Sequence, residues 1–273
     1  MNGFSVLMSV YHKDNANWLD NALYSVLVDQ SIKPSEIVLV EDGPLSDELY
    51  AVIDRYKSLF NNFISVKIPI NRGLGNALNI GLKKCNNDIV ARMDSDDISK
   101  SNRFEEQLKL LKSKPHVDIV GAWIDEFESS IENVTSIRKL PERHESIIEF
   151  ARGRNPLNHP VVMFRKEAVL AAGGYKHFPL FEDYSLWIRM LMNGSKFYNL
   201  QESLLFFRFS PEMLKRRGGI NYAIEELKFQ KRLYEIGFNG KRIFLRNSVI
   251  RFTSRIMPNN MRRILYKKTL RNK

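Results

Sequence analysis

The sequence contains one cysteine, Cys85, and no long apolar run. A single cysteine cannot form an internal disulfide bond or a cysteine-based zinc cluster, which is typical of a protein in a reducing compartment. No apolar run approaches the roughly 18 to 20 residues of a membrane-spanning helix, and Met1 to Lys13 has none of the features of a secretion signal. We therefore expect a cytoplasmic protein.

Acidic residues are scarce in the last fifth of the chain. Ile220 to Lys273 contains 14 Lys and Arg, three Glu and no Asp, and the whole chain of 273 residues has a net charge of +11. The earlier residues are balanced in charge, and the basic tail has no recognisable nucleic-acid-binding motif. We expect no nucleic-acid partner.

Four short apolar runs alternate with helical patterns in the first half of the chain. The runs are Phe4–Val10, Ile37–Val40, Ile64–Ile68 and Ile89–Met93, and the clearest helical stretches are Trp18–Asp29 and Arg103–Leu111. This alternation predicts an α/β fold in which helices flank an open, mostly parallel sheet.

Polar residues follow each predicted strand: Tyr11 to Asp14, Glu41-Asp42, Asn71-Arg72 and Asp94 to Asp97. The carboxyl ends of parallel strands form one edge of the sheet, where ligands bind in such folds. We expect these four groups to converge on one site.

Three carboxylates within four residues, Asp94, Asp96 and Asp97, repel each other unless a cation lies between them. A turn that aims Asp94 and Asp96 at one point gives the oxygen-rich site that Mg²⁺ or Mn²⁺ prefers. The alternative is a helix N-cap formed by Asp97 or Ser101.

Two more polar positions each allow two interpretations. Arg72, beside Gly73 and Gly75, either clamps phosphate oxygens or is a solvated arginine in an ordinary loop. Asp42 either accepts hydrogen bonds from a base or ribose, or shapes the turn with Gly43.

Five ordered segments together resemble the family 2 glycosyltransferases, which are inverting enzymes with the GT-A fold. They are FSVLMSVYHKDNANWLDNALYSVLVDQ, EIVLVEDG, NRGLGNALNIGL, DIVARMDSDD and FEDYSLWIRM, which lie between Phe4 and about Arg208. More narrowly, the chain resembles bacterial enzymes that build O-antigen, capsule and exopolysaccharide repeat units.

The resemblance implies a role for each matching residue. It assigns the nucleotide-sugar to Val10, Tyr11, Asp14, Asp42, Arg72, Asp94 and Ser95, a Mn²⁺ or Mg²⁺ ion to Asp96 and Asp94, and the role of catalytic base to Asp183. Many members of the family have two aspartates where this chain has Glu41-Asp42.

The expected chemistry requires these residue types. A sugar hydroxyl attacks an anomeric carbon while a nucleoside diphosphate departs, so a carboxylate must accept the proton and a metal must offset the leaving charge. One displacement inverts the anomeric centre, and an α-linked donor gives a β-linkage. Glu182-Asp183 is also interpretable as an acidic pair that stabilises a helix start.

The acceptor is expected to contact His159 and Glu182, although a lone histidine is often a hydrogen-bonded structural residue. Arg208 and the following Ser210 to Arg217 resemble a segment that closes over the donor diphosphate in this family; the alternative is a solvated basic loop.

We expect a GT-A domain over 1–219 and a basic, amphipathic, helical extension over 220–273. The extension either lies on the anionic inner face of the cell membrane or packs on the domain. The resemblance implies transfer of a hexose or N-acetylhexosamine from a UDP-sugar to an undecaprenyl-diphosphate-linked saccharide. The alternatives are a sugar nucleotidyltransferase, against which the absence of glycine in Tyr11 to Asp14 argues, and a non-catalytic basic protein that binds membranes or nucleic acid.

Overall fold

The computed structural model describes residues 3–210 and 218–257, which form a sheet between two layers of helices. The strands are β1 (Ser5–Val10), β2 (Glu36–Asp42), β3 (Phe63–Ile68), β4 (Ile89–Arg92), β5 (Ile98–Ser99), β6 (Ile119–Phe127), β7 (Val134–Arg138), β8 (Met163–Arg165) and β9 (Phe197–Arg208). The helices are α1 (Ala16–Leu27), α2 (Asp47–Leu59), α3 (Leu74–Lys84), α4 (Arg103–Ser113), α5 (His144–Ala151), α6 (Lys166–Ala171), α7 (Glu182–Met192), α8 (Ile220–Glu235) and α9 (Lys241–Ile256).

The sheet has the order β3-β2-β1-β4-β8-β6-β9-β5, with β7 paired to β6 at the side. The first four strands are parallel, as the alternation of strands and helices predicts. In the second half β6 and β9 are parallel, while β8, β7 and β5 make antiparallel pairs. The predicted fold class is confirmed, and the antiparallel pairings are an addition to it.

Side-chain alternation along the central strands divides the core between the two faces of the sheet. In β1, Val6 and Met8 belong to a cluster shared with α1, α2 and α4, whereas Leu7 belongs to a second cluster shared with α3, α5, α7 and α8. All three side chains are fully buried. A strand that is covered on both faces is expected to be apolar throughout, as FSVLMSV is.

Helix α1 begins two residues before the predicted start because Asn15 caps it. The Asn15 side chain accepts hydrogen bonds from the backbone N–H groups of Asn17 at 3.0 Å and Trp18 at 3.2 Å. Trp18 therefore lies in the first turn, where its side chain is exposed rather than buried in the core.

The two C-terminal helices differ in how they contact the rest of the fold. Helix α8 buries Tyr222, Phe229 and Leu233 in the second core cluster, and the Phe229 ring stacks on Phe181 with centroids 4.8 Å apart. Helix α9 is joined to α8 by a buried ion pair between Arg255 and Glu226 at 2.9 Å. The division of the chain at 219/220 stays a prediction, and 258–273 of the extension lie outside the described residues.

None of the helices within the described ranges combines the length and the apolar character that crossing a membrane requires.

Candidate active site

The carboxyl ends of β1 to β4 form one edge of the sheet, and the loops that follow them meet in two pairs. The loop after β1 contacts the loop after β4 through the Ser95 hydroxyl, which donates to Asp14 Oδ2 at 2.8 Å. The loop after β2 contacts the loop after β3 through Asp42, which accepts from the Arg72 backbone N–H at 2.7 Å. The parallel strands therefore bring the predicted polar groups together in two pairs, and the convergence of all four on one site stays a prediction.

Three carboxylates form a cluster after β4. Oxygen atoms of Asp94, Asp96 and Asp97 all lie within 4.8 Å of one another. Burial and then the neighbouring Asp94 carboxylate raise the pKa of Asp96 to about 7. Burial and the Asp96 and Asp94 charges also raise the pKa of Asp97 well above its usual value. The cluster holds more negative charge than its surroundings offset.

A divalent cation fits this cluster. Asp97 is fully buried, and its Oδ2 has no hydrogen-bond partner among residues 3–210 and 218–257. A buried carboxylate oxygen without a donor is costly, and a cation beside it removes that cost. The donor set is oxygen only, which suits Mg²⁺ or Mn²⁺.

The helix-cap interpretation of this motif is wrong. A short strand, β5, follows Asp97, and α4 begins only at Arg103 with Asn102 as its N-cap. Neither Asp97 nor Ser101 occupies the capping position. Instead, Asp97 Oδ1 accepts the backbone N–H of Arg208 at 2.9 Å, which joins the cluster to the end of β9.

Arg208 makes further contacts that the sequence argument did not predict. Its Nε donates to the Asp96 carbonyl at 2.9 Å, and its guanidinium lies 4.6 Å from the ring centroids of both Trp18 and Phe127. The arginine thus holds the main chain of the cluster against α1 and β6. The segment predicted to close over the donor continues from here, but 211–217 lie outside the described residues.

Two buried arginines support the cluster, and both were missed in the sequence. The Arg92 side chain, 1% exposed, forms an ion pair with Asp94. Beneath it, Arg103 is fully buried and donates from Nη2 to the Arg92 carbonyl at 2.6 Å. Burial lowers the pKa of Arg103 to about 9. Because arginine is usually exposed, only the position of Arg92 two residues before Asp94 could have signalled its role.

Val10, Tyr11 and Asp14 form the turn after β1. Val10 is fully buried, so only its backbone can face a ligand. Asp14 Oδ2 accepts the Tyr11 backbone N–H at 3.1 Å as well as the Ser95 hydroxyl. Burial raises the pKa of Asp14 to about 6, against the lowering effect of these hydrogen bonds. The predicted contacts of these residues with a nucleotide stay predictions.

Asp42, the last residue of β2, holds the loop that follows β3, and its predicted contact with a base or ribose stays a prediction. Its carboxylate accepts the backbone N–H groups of Arg72 at 2.7 Å and Gly73 at 2.9 Å. Gly43 has φ of 90°, and a Cβ there would lie 2.8 Å from the backbone nitrogen of Asn71. Glycine is therefore required at this approach. The Arg72 side chain is exposed, and its contact with a diphosphate stays a prediction.

Asp183 lies in the first turn of α7, beside Glu182. Its Oδ2 accepts Asn155 Nδ2 at 2.6 Å, and its Oδ1 accepts the Tyr184 backbone N–H at 2.7 Å. Burial raises the pKa of Asp183, while the Asn155 hydrogen bond opposes this shift. Burial also raises the pKa of Glu182. Two acidic side chains in a first turn fit the helix-start interpretation, and a carboxylate of raised pKa also suits a general base.

His159 is held among aromatic side chains. Its Nε2 lies 2.9 Å from the Tyr175 hydroxyl, and its ring centroid is 5.9 Å from that of Trp187. Burial, followed by the Arg92 charge, lowers the pKa of His159 well below its usual value, so the ring is neutral. The histidine is hydrogen-bonded as its structural interpretation predicts, and its contact with an acceptor stays a prediction.

Comparison with known sequences decides the family. The model of the family described as "Glycosyl transferase family 2" matches residues 5–170, a stretch that contains the loops after β1 to β4.

The chain belongs to glycosyl transferase family 2.

Two relatives of this glycosyltransferase match it over almost their whole length. An Escherichia coli protein named UDP-Gal:alpha-D-GlcNAc-diphosphoundecaprenol beta-1,3-galactosyltransferase is 40% identical over 98% of this chain and 96% of its own. The amylovoran biosynthesis glycosyltransferase AmsE of Erwinia amylovora is 39% identical over 97% of this chain and 98% of its own. The resemblance to glycosyltransferases of bacterial polysaccharide synthesis is confirmed.

A solved structure supports the GT-A fold of this glycosyltransferase. The crystal structure of S. aureus TarS 1–349 in complex with UDP-GlcNAc superposes with a TM-score of 0.67 at 15% identity, and covers 93% of this chain and 73% of that chain. At this identity the likeness concerns the fold alone.

Proposed function

We propose that this glycosyltransferase transfers a hexose or an N-acetylhexosamine from a UDP-sugar to an undecaprenyl-diphosphate-linked saccharide. The supporting observation is the 40% identity, over nearly the full length of both chains, to a galactosyltransferase whose name states a UDP-sugar donor and a diphosphoundecaprenol-linked acceptor. Galactose is therefore the first sugar to test. The product belongs to O-antigen, capsule or exopolysaccharide synthesis.

Asp96 and Asp94 are the proposed ligands of a Mn²⁺ or Mg²⁺ ion, and the buried Asp97 carboxylate lies beside them. Such an ion, when bound, neutralises the diphosphate that leaves with UDP. Arg92 pairs with Asp94 from inside the protein and holds that carboxylate at the edge of the cluster. Arg208 holds the Asp96 carbonyl, which fixes the main chain of the loop.

Asp183 is the proposed catalytic base. It accepts the proton of the acceptor hydroxyl as that oxygen bonds to the anomeric carbon. The bond to the UDP oxygen breaks in the same displacement, so an α-linked sugar becomes β-linked. The raised pKa of Asp183 supports this role, because a base with a pKa nearer neutrality transfers protons more efficiently. Glu182 and His159 are the proposed acceptor contacts.

The donor nucleotide is proposed to bind along the loops after β1 to β4. The proposed base and ribose contacts are the Val10 backbone, Tyr11 and Asp42. Asp14 and Ser95, which are hydrogen-bonded to each other, are further proposed contacts of the nucleotide-sugar. Arg72 is exposed beside this edge and carries a guanidinium suited to phosphate oxygens.

The inner face of the cell membrane is the proposed location, reached through the C-terminal extension. Leu245, Val249 and Ile250 on α9 are each more than half exposed, at 53%, 64% and 55%. They lie on a helix with four arginines, one lysine and no acidic residue. Apolar insertion, together with roughly 1 kcal/mol per basic residue at an anionic surface, favours peripheral binding.

Vesicle flotation tests the membrane proposal. We expect the protein to float with phosphatidylglycerol vesicles and to remain in the bottom fraction with phosphatidylcholine vesicles. Leu245→Ser and Val249→Ser should reduce flotation with the phosphatidylglycerol vesicles. Equal flotation with both lipids, or no effect of these substitutions, contradicts a membrane role for α9.

A donor panel tests the transferase proposal. The purified protein is incubated with Mn²⁺, UDP- and GDP-sugars and a GlcNAc-diphosphate carrying a water-soluble lipid, and nucleotide release is followed. We expect release from one UDP-sugar, lost with chelator and in Asp96→Ala. Preferential use of a GDP-sugar, or undiminished release in Asp96→Ala, contradicts the proposal.

A further inference from the structure

The end of α5 is held by residues of the C-terminal extension. The last carbonyls of a helix have no partner within the helix and need donors from elsewhere. The Arg152 carbonyl accepts Asn247 Nδ2 at 2.8 Å and Asn239 Nδ2 at 2.9 Å, and the Gly153 carbonyl accepts Arg251 Nη2. Asn239 and Asn247 are buried at 1% and 5% exposure, so these bonds are shielded from water. The α5 end is thus fixed against α9.

The same end of α5 reaches the first turn of α7, which contains Asp183. Asn155 Nδ2 donates to Asp183 Oδ2 at 2.6 Å, and the Tyr184 hydroxyl donates to the Ala151 carbonyl at 2.6 Å. Residues 151–155 are therefore bonded to α9 at Arg152 and Gly153, and to α7 at Ala151 and Asn155. The backbone segment 151–155 therefore links the C-terminal extension to Asp183, with hydrogen bonds to α9 on one side and to α7 on the other.

We infer that Asn155 is a positioning residue for Asp183, and that Asn247 and Arg251 of the extension hold Asn155 in place through residues 151–155. This inference rests on the proposed role of Asp183 as the base. The outer face of the extension is proposed to contact the membrane. Its inner face then positions the carboxylate of Asp183.

The physical effect of Asn155 on Asp183 is twofold. Its hydrogen bond fixes the rotation of the carboxylate, because Oδ1 is held separately by the Tyr184 backbone N–H. It also favours the ionised form, the only form that accepts a proton. The other ionisable groups that act on Asp183 are Arg138, Arg92, Glu182, Tyr175 and Tyr184. The Asn155 side chain can be removed while all of these groups stay. Only the hydrogen bond that lowers the pKa of Asp183 is then lost, so this pKa should rise.

Kinetics with UDP-galactose, or the donor selected by the panel, test the inference. The variants are Asn155→Ala and the double variant Asn247→Ala/Arg251→Ala. The matched control is Asn221→Ala/Arg232→Ala, which changes the same residue types at exposed positions of α8. We expect kcat to fall about tenfold or more in Asn155→Ala, the size of a lost charge-assisted hydrogen bond, and to fall in the same direction in the double variant. The donor KM should stay the same, and the acid limb of the pH profile should move to higher pH.

An unchanged kcat and acid limb in Asn155→Ala would overturn the inference, as would a change in KM alone. If the double variant fails to fold, Asn247→Ala alone replaces it, because Asn239 still donates to the Arg152 carbonyl. Asp183→Asn in the same assay separates the two proposals. Wild-type activity in Asp183→Asn contradicts the proposed base, whereas an inactive Asp183→Asn with wild-type-like Asn155→Ala contradicts only the positioning role.

Discussion

Removal of the Arg208 side chain should weaken the binding of UDP and Mn²⁺. Arg208→Ala deletes one charged hydrogen bond, from Nε to the Asp96 carbonyl at 2.9 Å, and two cation–π contacts, to Trp18 and Phe127 at 4.6 Å each. A hydrogen bond from a charged donor contributes about 1.5–3 kcal/mol and an exposed cation–π contact about 0.5–1 kcal/mol. Since Arg208 is only partly buried, the lower ends apply, giving about 2.5 kcal/mol.

This free energy should appear in ligand binding because Arg208 fixes the main chain of the proposed metal ligand Asp96. A loss of about 2.5 kcal/mol corresponds to roughly 70-fold weaker binding. Calorimetric titration of UDP in the presence of Mn²⁺ measures it, beside urea unfolding of the same protein. The control is Lys109→Ala, which removes one positive charge from an exposed position of α4. Unchanged UDP affinity in Arg208→Ala, whatever its unfolding free energy, would show that Arg208 does not hold the Asp96 loop for ligand binding.

Three further outcomes are expected. Mn²⁺ at a hundredfold excess over its Kd should add about 2.7 kcal/mol to the unfolding free energy of the wild type, which raises its melting temperature by roughly 5 °C. Asp96→Ala should show no such rise, and an equal rise in both proteins places the ion elsewhere. Asp183→Asn should lower kcat by about 10² to 10⁴ with UDP affinity unchanged by calorimetry, and a fall below tenfold contradicts the assignment of Asp183 as base. Phe229→Ala should lower the free energy of unfolding in urea by about 3–5 kcal/mol, because this 1% exposed ring stacks on Phe181 and touches Tyr184. The control is Tyr234→Ala, at an exposed position of the same helix. A loss under 1 kcal/mol in Phe229→Ala, equal to that of the control, contradicts the packing of α8 on the domain.

The first half of the fold could be predicted because its signals are local. Strands β1 to β4 are apolar runs bounded by turn residues, and parallel strands require their polar carboxyl ends to share one edge. The carboxylate cluster of Asp94, Asp96 and Asp97 was predicted for the same reason, since its members are neighbours in the sequence.

The second half depends on contacts between distant residues. β6 pairs with β9 in a register that joins Ile119 to Phe197, and no local pattern shows such a partner. Nor does a local pattern show that Arg92 and Arg103 are buried, because a charged side chain is buried only where tertiary structure supplies its hydrogen bonds. The contact of Trp18 with Arg208 has no local signal either, because Arg208 lies at the other end of the domain sequence.

The anomeric configuration of the product shows whether the transfer is a single inverting displacement. The protein is incubated with Mn²⁺, the preferred α-linked UDP-sugar and the GlcNAc-diphosphate acceptor, and the new linkage is examined by proton NMR. We expect a β-linked product, because one displacement assisted by Asp183 inverts the anomeric centre. An α-linked product would contradict a single displacement with Asp183 as the base.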